Sequence, residues 1–164
     1  MGNVKLQNWK RSISYEAARY EKVQSAEEIA RIVRDRDAYP APVRAKGSHH
    51  STTECLVAEG GTVVDVSGMD EIVEIDEEAK TITMQAGVQH IDAAHALEER
   101  GLQFYVNCEI GNLTVGAGAC SATKDASYYS ERDESWEYGQ VNSYVVGMKV
   151  VTPDGDIVEV TPED

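Results

Sequence analysis

Val43-Arg-Ala-Lys-Gly-Ser-His-His-Ser51 decides how the chain is read. Its first four residues have β character, and Gly47 then allows a sharp turn carrying two hydroxyls and two imidazoles. Successive backbone amides in such a turn can converge on an anion, with Ser48 and Ser51 as further donors. A surface turn with two solvated histidines is the other reading, since turns are rich in Gly and Ser.

Upstream, Ala18-Arg-Tyr-Glu-Lys-Val23 reads as a strand leading into Ser25-Ala-Glu-Glu28, a capping box at a helix start. Ile29, Ile32 and Val33 recur at helical spacing, and Pro40 and Pro42 are expected to end the helix. Strand, helix, strand and glycine turn make a βαβ-like unit, so a small parallel sheet is expected.

Downstream, Thr62–Val66, Glu71–Ile75 and Lys80–Gln85 read as β segments, with a hairpin loop over Asp76–Ala79. A helix over Ile91–Arg100 follows, with Ala94 and Leu97 packing and Gly101 as its stop. Gln103–Val106 reads as a further strand, and Pro153-Asp-Gly155 as a hairpin turn between Ser143–Val151 and Asp156–Val160. The whole is α+β in two small lobes: a βαβ-like parallel lobe over 1–60, and a mostly antiparallel lobe over 61–164.

The second chemical candidate is Ile110-Gly-Asn-Leu-Thr-Val-Gly-Ala-Gly-Ala-Cys-Ser-Ala-Thr123. Small residues from Gly116 to Ala122 let a backbone approach a flat or extended group, with Thr114, Ser121 and Thr123 as donors. Tight packing against a sheet is the plainer alternative. The paired histidines invite a metal reading, but His90 and His95 lie five apart and off the i, i+4 spacing, so no metal is expected. The acidic loop holding Asp125, Glu131, Asp133, Glu134 and Glu137 reads as solvated; Tyr128, Tyr129, Trp136 and Tyr138 within it are expected to pack against something.

The bulk properties narrow the classes. Fifteen basic against 29 acidic residues leave a net charge of −14, which disfavours nucleic-acid binding. Any phosphate ligand must therefore be held by local geometry. No apolar run of about 18 residues is present, so no membrane span is expected. Cys55, Cys108 and Cys120 cannot all pair and form no C-x-x-C, which suits free thiols and a cytoplasmic location.

The order of these segments resembles the FAD-binding domain of the vanillyl-alcohol oxidase family, the PCMH-type flavoproteins, with the sugar-acid and alditol oxidases nearest. Val43–Ser51 matches its strand and Gly-x-x-His-Ser-like turn; Val64-Asp-Val-Ser67 and Val73-Glu-Ile-Asp76 match the next markers. Ala86-Gly-Val88 with Leu97-Glu-Glu-Arg-Gly-Leu102, then Thr114-Val-Gly-Ala-Gly118, then Val145–Gly155 complete five motifs in order.

The resemblance implies FAD as cofactor, contacted by Lys46, Gly47, Ser48, His49, His50 and Ser51, and by Ile110, Thr114, Val115, Gly116, Ala117, Gly118, Cys120, Ser121 and Thr123. It implies a covalent bond from His50 to the flavin, and no second link, because Gly116 stands where doubly linked members carry cysteine. It implies hydride transfer from an alcohol, sugar or hydroxy acid to the flavin. Where relatives carry G-T-H-G, this chain has Ala122-Thr-Lys-Asp125. The chain stops at Asp164, short of the rest of the FAD domain and of the substrate domain, so a missing domain or a partner chain is expected; an oligomer is the further option. A non-catalytic remnant that binds a nucleotide or a protein is the rival reading.

Overall fold

The computed structural model describes residues 3–121, 123–124, 128–131, 134–137 and 139–163. The chain divides into two compact units, Met1–Met69 with Gly147–Asp164, and Asp70–Val146. The division therefore falls nearly ten residues after the expected one, and the C-terminal hairpin returns to the first unit. The reason lies in the pairing of a single strand, described below.

The first unit opens with an antiparallel hairpin of β1 (Val4–Gln7) and β2 (Ser14–Ala17), which the sequence reading did not anticipate. Its connection takes a left-handed residue, Arg11 at φ 58°, without the glycine that usually announces such a turn. Next come β3 (Arg19–Lys22), α1 (Ala26–Arg34), β4 (Val43–Lys46) and β5 (Thr62–Asp65).

Ser25 caps α1 as expected, its hydroxyl accepting from the Glu28 amide at 3.2 Å. The Glu28 carboxylate reaches one residue further back than expected, to the Gln24 amide at 2.8 Å. The helix ends at Arg34, well before the prolines. Asp35 stops it there, its carboxylate accepting from the Ala38 amide.

The three strands form one parallel sheet ordered β3-β5-β4. Every residue of β5 is buried, as expected of a central strand covered on both faces. Val63 points to the side holding Tyr15, Ala17, Leu56 and Ala58; Val64 points to the side holding Val23 and Ile32. Alternation along a strand sends these neighbours to opposite faces. A boundary near residue 60 would strip β5 from both its partners.

The second unit begins with the antiparallel hairpin β6 (Ile72–Asp76) and β7 (Thr81–Met84). The Asp76 carboxylate accepts from the Glu78 and Ala79 amides and closes the loop between them. Helix α2 (His90–Glu98) buries His90, Ala93 and Leu97, whereas Ala94 is only half-buried. Gly101, at φ 66°, ends it with two bonds, its own amide to Glu98 and that of Leu102 to Leu97. Gln103–Val106 belongs to no strand, contrary to expectation.

The short helix α3 (Val115–Cys120) follows, then a hairpin of β8 (Tyr128–Ser130) and β9 (Ser135–Glu137) inside the acidic loop. Tyr129 and Trp136 pack on each other at 5.7 Å while both stay exposed. Asp125, Asp133 and Tyr138 lie outside the described residues. No described helix is long and apolar enough to cross a membrane.

The chain returns to the first unit with β10 (Met148–Val151) and β11 (Ile157–Val160), so the strand expected from Ser143 begins later, after a 3-10 turn at Val141–Tyr144. Gly155 closes the hairpin at φ 82°, and a Cβ there would stand 2.6 Å from Arg34 Cγ and 2.9 Å from the Ala30 carbonyl. The glycine is thus needed both for its backbone and for the fit onto α1. We expect Gly155→Ala to destabilise the protein by about 2–4 kcal/mol, strain and overpacking together. Gly60→Ala, at φ 64° with nothing within 4 Å, should cost only the strain, about 1–2 kcal/mol. Equal urea midpoints for the two variants would contradict this packing.

Candidate FAD site

The first candidate stretch leaves the sheet at the C-terminal end of β4. Lys46 there faces Asp65 across the ladder. Asp65 carries the one charge in a buried strand, its side chain 4% exposed, and such a group is kept only when paired. Lys46 Nζ lies 2.9 Å from its Oδ2 and also donates to the Gly47 carbonyl at 3.2 Å. The Tyr20 hydroxyl donates to the same carboxylate oxygen, and the Ser67 amide to the other at 2.9 Å. Burial pushes the Asp65 carboxyl up, but bonds from Tyr20, Ser67 and Lys46 outweigh it and hold the carboxyl at about 2. Lys46, expected as a cofactor contact, spends its charge inside the protein.

Gly47 to Ser51 then folds against the β1–β2 loop. The carbonyl of His49 accepts from the Trp9 amide at 3.0 Å, that of His50 from Trp9 Nε1 at 3.1 Å, and that of Ser51 from Asn8 Nδ2 at 3.1 Å. His49 sits at φ 62°, uncommon for a residue with a side chain. Its Nε2 is 3.2 Å from the Tyr15 hydroxyl, and its ring bonds the Gln7 carbonyl. Burial first, and the Lys46 charge second, push its pKa down. His49 therefore serves the fold as a neutral wedge. His50 is half-buried with its ring 5.3 Å from that of Trp9. Ser51 Oγ lies 3.1 Å from Cys55 Sγ and 3.2 Å from Thr53 Oγ1.

The second stretch lies in the other unit. Residues 86–90 run beside 111–116: Val115 and Gly116 donate to the carbonyls of Val88 and Ala86, and His90 donates to that of Leu113. The amides of Val115 and Gly116 are thus committed within the unit. Gly116 has no room for a Cβ, which would meet Ala86 Cβ at 2.9 Å; at Gly118 it would meet His90 Nε2 at 2.3 Å. The small residues therefore pack closely, but against Ala86 and the His90 ring and not against a sheet.

Thr114 Oγ1 is nonetheless buried without a hydrogen-bond partner among the described residues, as are both ring nitrogens of His90. Burial pushes the His90 pKa down, so it stays neutral. Ser121 Oγ donates to Ala117 and lies 3.1 Å from Thr123 Oγ1; Cys120 and Ile110 are exposed. Asn8, Trp9, Tyr15, Tyr20 and Asp65 were missed from sequence. Only Asp65 left a signal, a charge among valines.

The profile of the FAD binding domain family matches residues 17–161. The chain belongs to that family. The subunit GlcD of glycolate oxidase from Bacillus subtilis is 32% identical over 146 residues, covering 82% of this chain and 28% of its own length. L-gulonolactone oxidase from Bos taurus is 24% identical over 156 residues, covering 95% of this chain and 33% of its own. Among solved structures, cholesterol oxidase from Brevibacterium sterolicum superposes with a TM-score of 0.81 over 99% of this chain and 33% of that one, at 16% identity. The 6-hydroxy-D-nicotine oxidase of Arthrobacter nicotinovorans gives 0.72 over 88% of this chain and 30% of that one, at 19% identity. The chain spans about a third of the length of these relatives or less. The fold is the α+β FAD-binding domain, and FAD is the family's cofactor.

The Asp65 pairing carries a pH signature. Its folded pKa lies below the ordinary value of 3.8, so its stabilisation is complete above about pH 4 and lost as pH falls through about 2. Asp65→Asn should be less stable at pH 7, and its stability deficit should shrink between pH 4 and pH 2 in a urea-unfolding series. A deficit independent of pH would contradict the paired carboxylate.

Proposed function

We propose that this chain is the flavin-holding part of an oxidoreductase that takes hydride from a small alcohol, sugar or hydroxy acid. The observation that carries the proposal is the turn Gly47–Ser51, fixed by neighbouring side chains in a family whose cofactor is FAD. Hydroxy acids are favoured among the substrates, because relatives include a glycolate oxidase subunit, a D-lactate dehydrogenase and a D-2-hydroxyglutarate dehydrogenase.

In this reading the amides and hydroxyls of the turn hold the pyrophosphate by directed bonds, as an acidic chain requires. The family resemblance assigns further FAD contacts to Thr114–Thr123, where the Thr114 hydroxyl is buried without a partner among the described residues. When bound, FAD supplies the redox chemistry by accepting hydride at N5 and passing electrons onward. The protein contributes position and electrostatics. His50 is the residue that would hold the flavin covalently, through a ring nitrogen on the 8α carbon. The imidazole and the 8α methyl would each give up a proton, and the electron pair would leave the flavin reduced until O2 or another electron acceptor reoxidised it. His49 does not compete for that carbon, since Tyr15 and Gln7 hold its ring.

Substrate and catalytic base are met by a further domain or a partner chain, consistent with relatives about three times as long. The free Cys55, Cys108 and Cys120 favour a reducing, cytoplasmic setting.

Intact mass spectrometry of protein made with FAD present tests the reading. We expect the denatured chain to carry one FAD, and His50→Ala to lose the link while still binding FAD reversibly. His49→Ala should lower the melting temperature first. A chain that takes up no FAD overturns the proposal, and a link that survives in His50→Ala overturns the role of His50.

A further inference from the structure

Residues 4–16 precede the stretch matched by the FAD binding domain profile, yet they hydrogen-bond the histidine turn at three successive carbonyls. Three successive carbonyls, of His49, His50 and Ser51, are all taken by donors of Asn8 and Trp9. A trans peptide is planar, with its N–H opposite its C=O. Fixing those three carbonyls toward the loop therefore directs the next three amides, of His50, Ser51 and Thr52, away from it. Three amides turned the same way are what an anion nest consists of.

The donors are themselves immobilised. Asn8 is 2% exposed, and its Oδ1 accepts from the Ser12 and Ile13 amides at 2.9 and 3.1 Å. Its Nδ2 donates to Ser12 Oγ at 3.1 Å as well as to Ser51. Both ends of the amide are thus assigned, and the group cannot flip without losing bonds on each side. Trp9 is 55% exposed, an unusual position for a residue that donates twice, through its backbone amide and its indole Nε1, and lies against an imidazole. Its exposed face does little for the core, so its bonds to the turn account best for its presence.

We propose that Asn8 and Trp9 are positioning residues for FAD: they aim the amides of His50, Ser51 and Thr52 at the pyrophosphate, and Trp9 sets the His50 ring for its bond to the flavin. The proposal rests on the reading of the turn as an FAD site.

The test uses the full chain and three variants. Trp9→Phe keeps a ring beside His50 but removes the Nε1–H donor; Asn8→Asp keeps the acceptor of Ser12 and Ile13 but removes the donor to Ser51. Val4→Ala loosens the same hairpin away from the turn. FAD affinity is read by fluorescence, the covalent link by the time course of intact mass, and stability by melting without FAD.

We expect Trp9→Phe to weaken FAD binding by about five-fold or more, the worth of one hydrogen bond, with slower linking and a nearly unchanged melting temperature. Asn8→Asp should weaken binding further. Val4→Ala should lower the melting temperature but leave affinity unchanged. Parent chain that binds FAD while both loop variants bind and link it equally well overturns this proposal alone. Affinity that merely follows melting temperature across all variants also overturns it. Parent chain that binds no FAD overturns the FAD reading and this proposal together.

Discussion

A buried carboxylate needs company, and much of the first unit is arranged to give Asp65 its partners. It stands at the C-terminal end of the central strand of a parallel sheet, where Tyr20 reaches it from β3 and Lys46 from β4. The pairing fixes the ends of three strands at once. Because Lys46 also holds the Gly47 carbonyl, the same contact sets where the chain leaves the sheet and the turn begins. Removing one partner from such a group leaves a charge without compensation, which is far costlier than losing an exposed ion pair. Arg34–Asp156 and Arg100–Glu77, both well exposed, are of that lesser kind.

Local chemistry was legible in the sequence where one short segment contains all the causes. Ser25 and Glu28 announced the start of α1, Gly101 the end of α2, and Pro153-Asp-Gly155 a hairpin. Pairing was not legible, since it depends on residues far along the chain. The β run at Thr62 was visible, but nothing in it names β3 and β4 as neighbours. Gly60-Gly61 looked like a change of lobe; Gly61 is instead buried against Pro42, with no space for a side chain. The β1–β2 hairpin escaped because its strands are four residues each and its loop has no glycine. Gln103–Val106 misled in the opposite direction, with β-forming residues but no strand to join.

The functional site divides the same way. The glycine, hydroxyls and imidazoles of the turn could be read directly, and the resemblance to flavoproteins picked out His50. Three-dimensional structure separates the two histidines by work: His49 wedges the turn open against Tyr15 and Gln7, while His50 lies under Trp9. Lys46 was expected to contact FAD on the resemblance alone; its counter-charge is 19 residues away, where the sequence does not announce it. In the second unit, the run of small residues is explained first by the fit of Gly116 on Ala86 and of Gly118 on His90. The Thr114 hydroxyl is what that packing leaves unexplained.

In the proposed function, a turn preset by the protein presents its backbone amides to the FAD pyrophosphate. Amide NMR of the full chain titrated with FAD tests it most directly. The His50, Ser51 and Thr52 amides should shift and exchange more slowly on FAD addition, whereas the Trp9 indole N–H should already be protected beforehand. FAD that binds while leaving those three amides unmoved, or an indole N–H that exchanges freely until FAD arrives, would contradict the account.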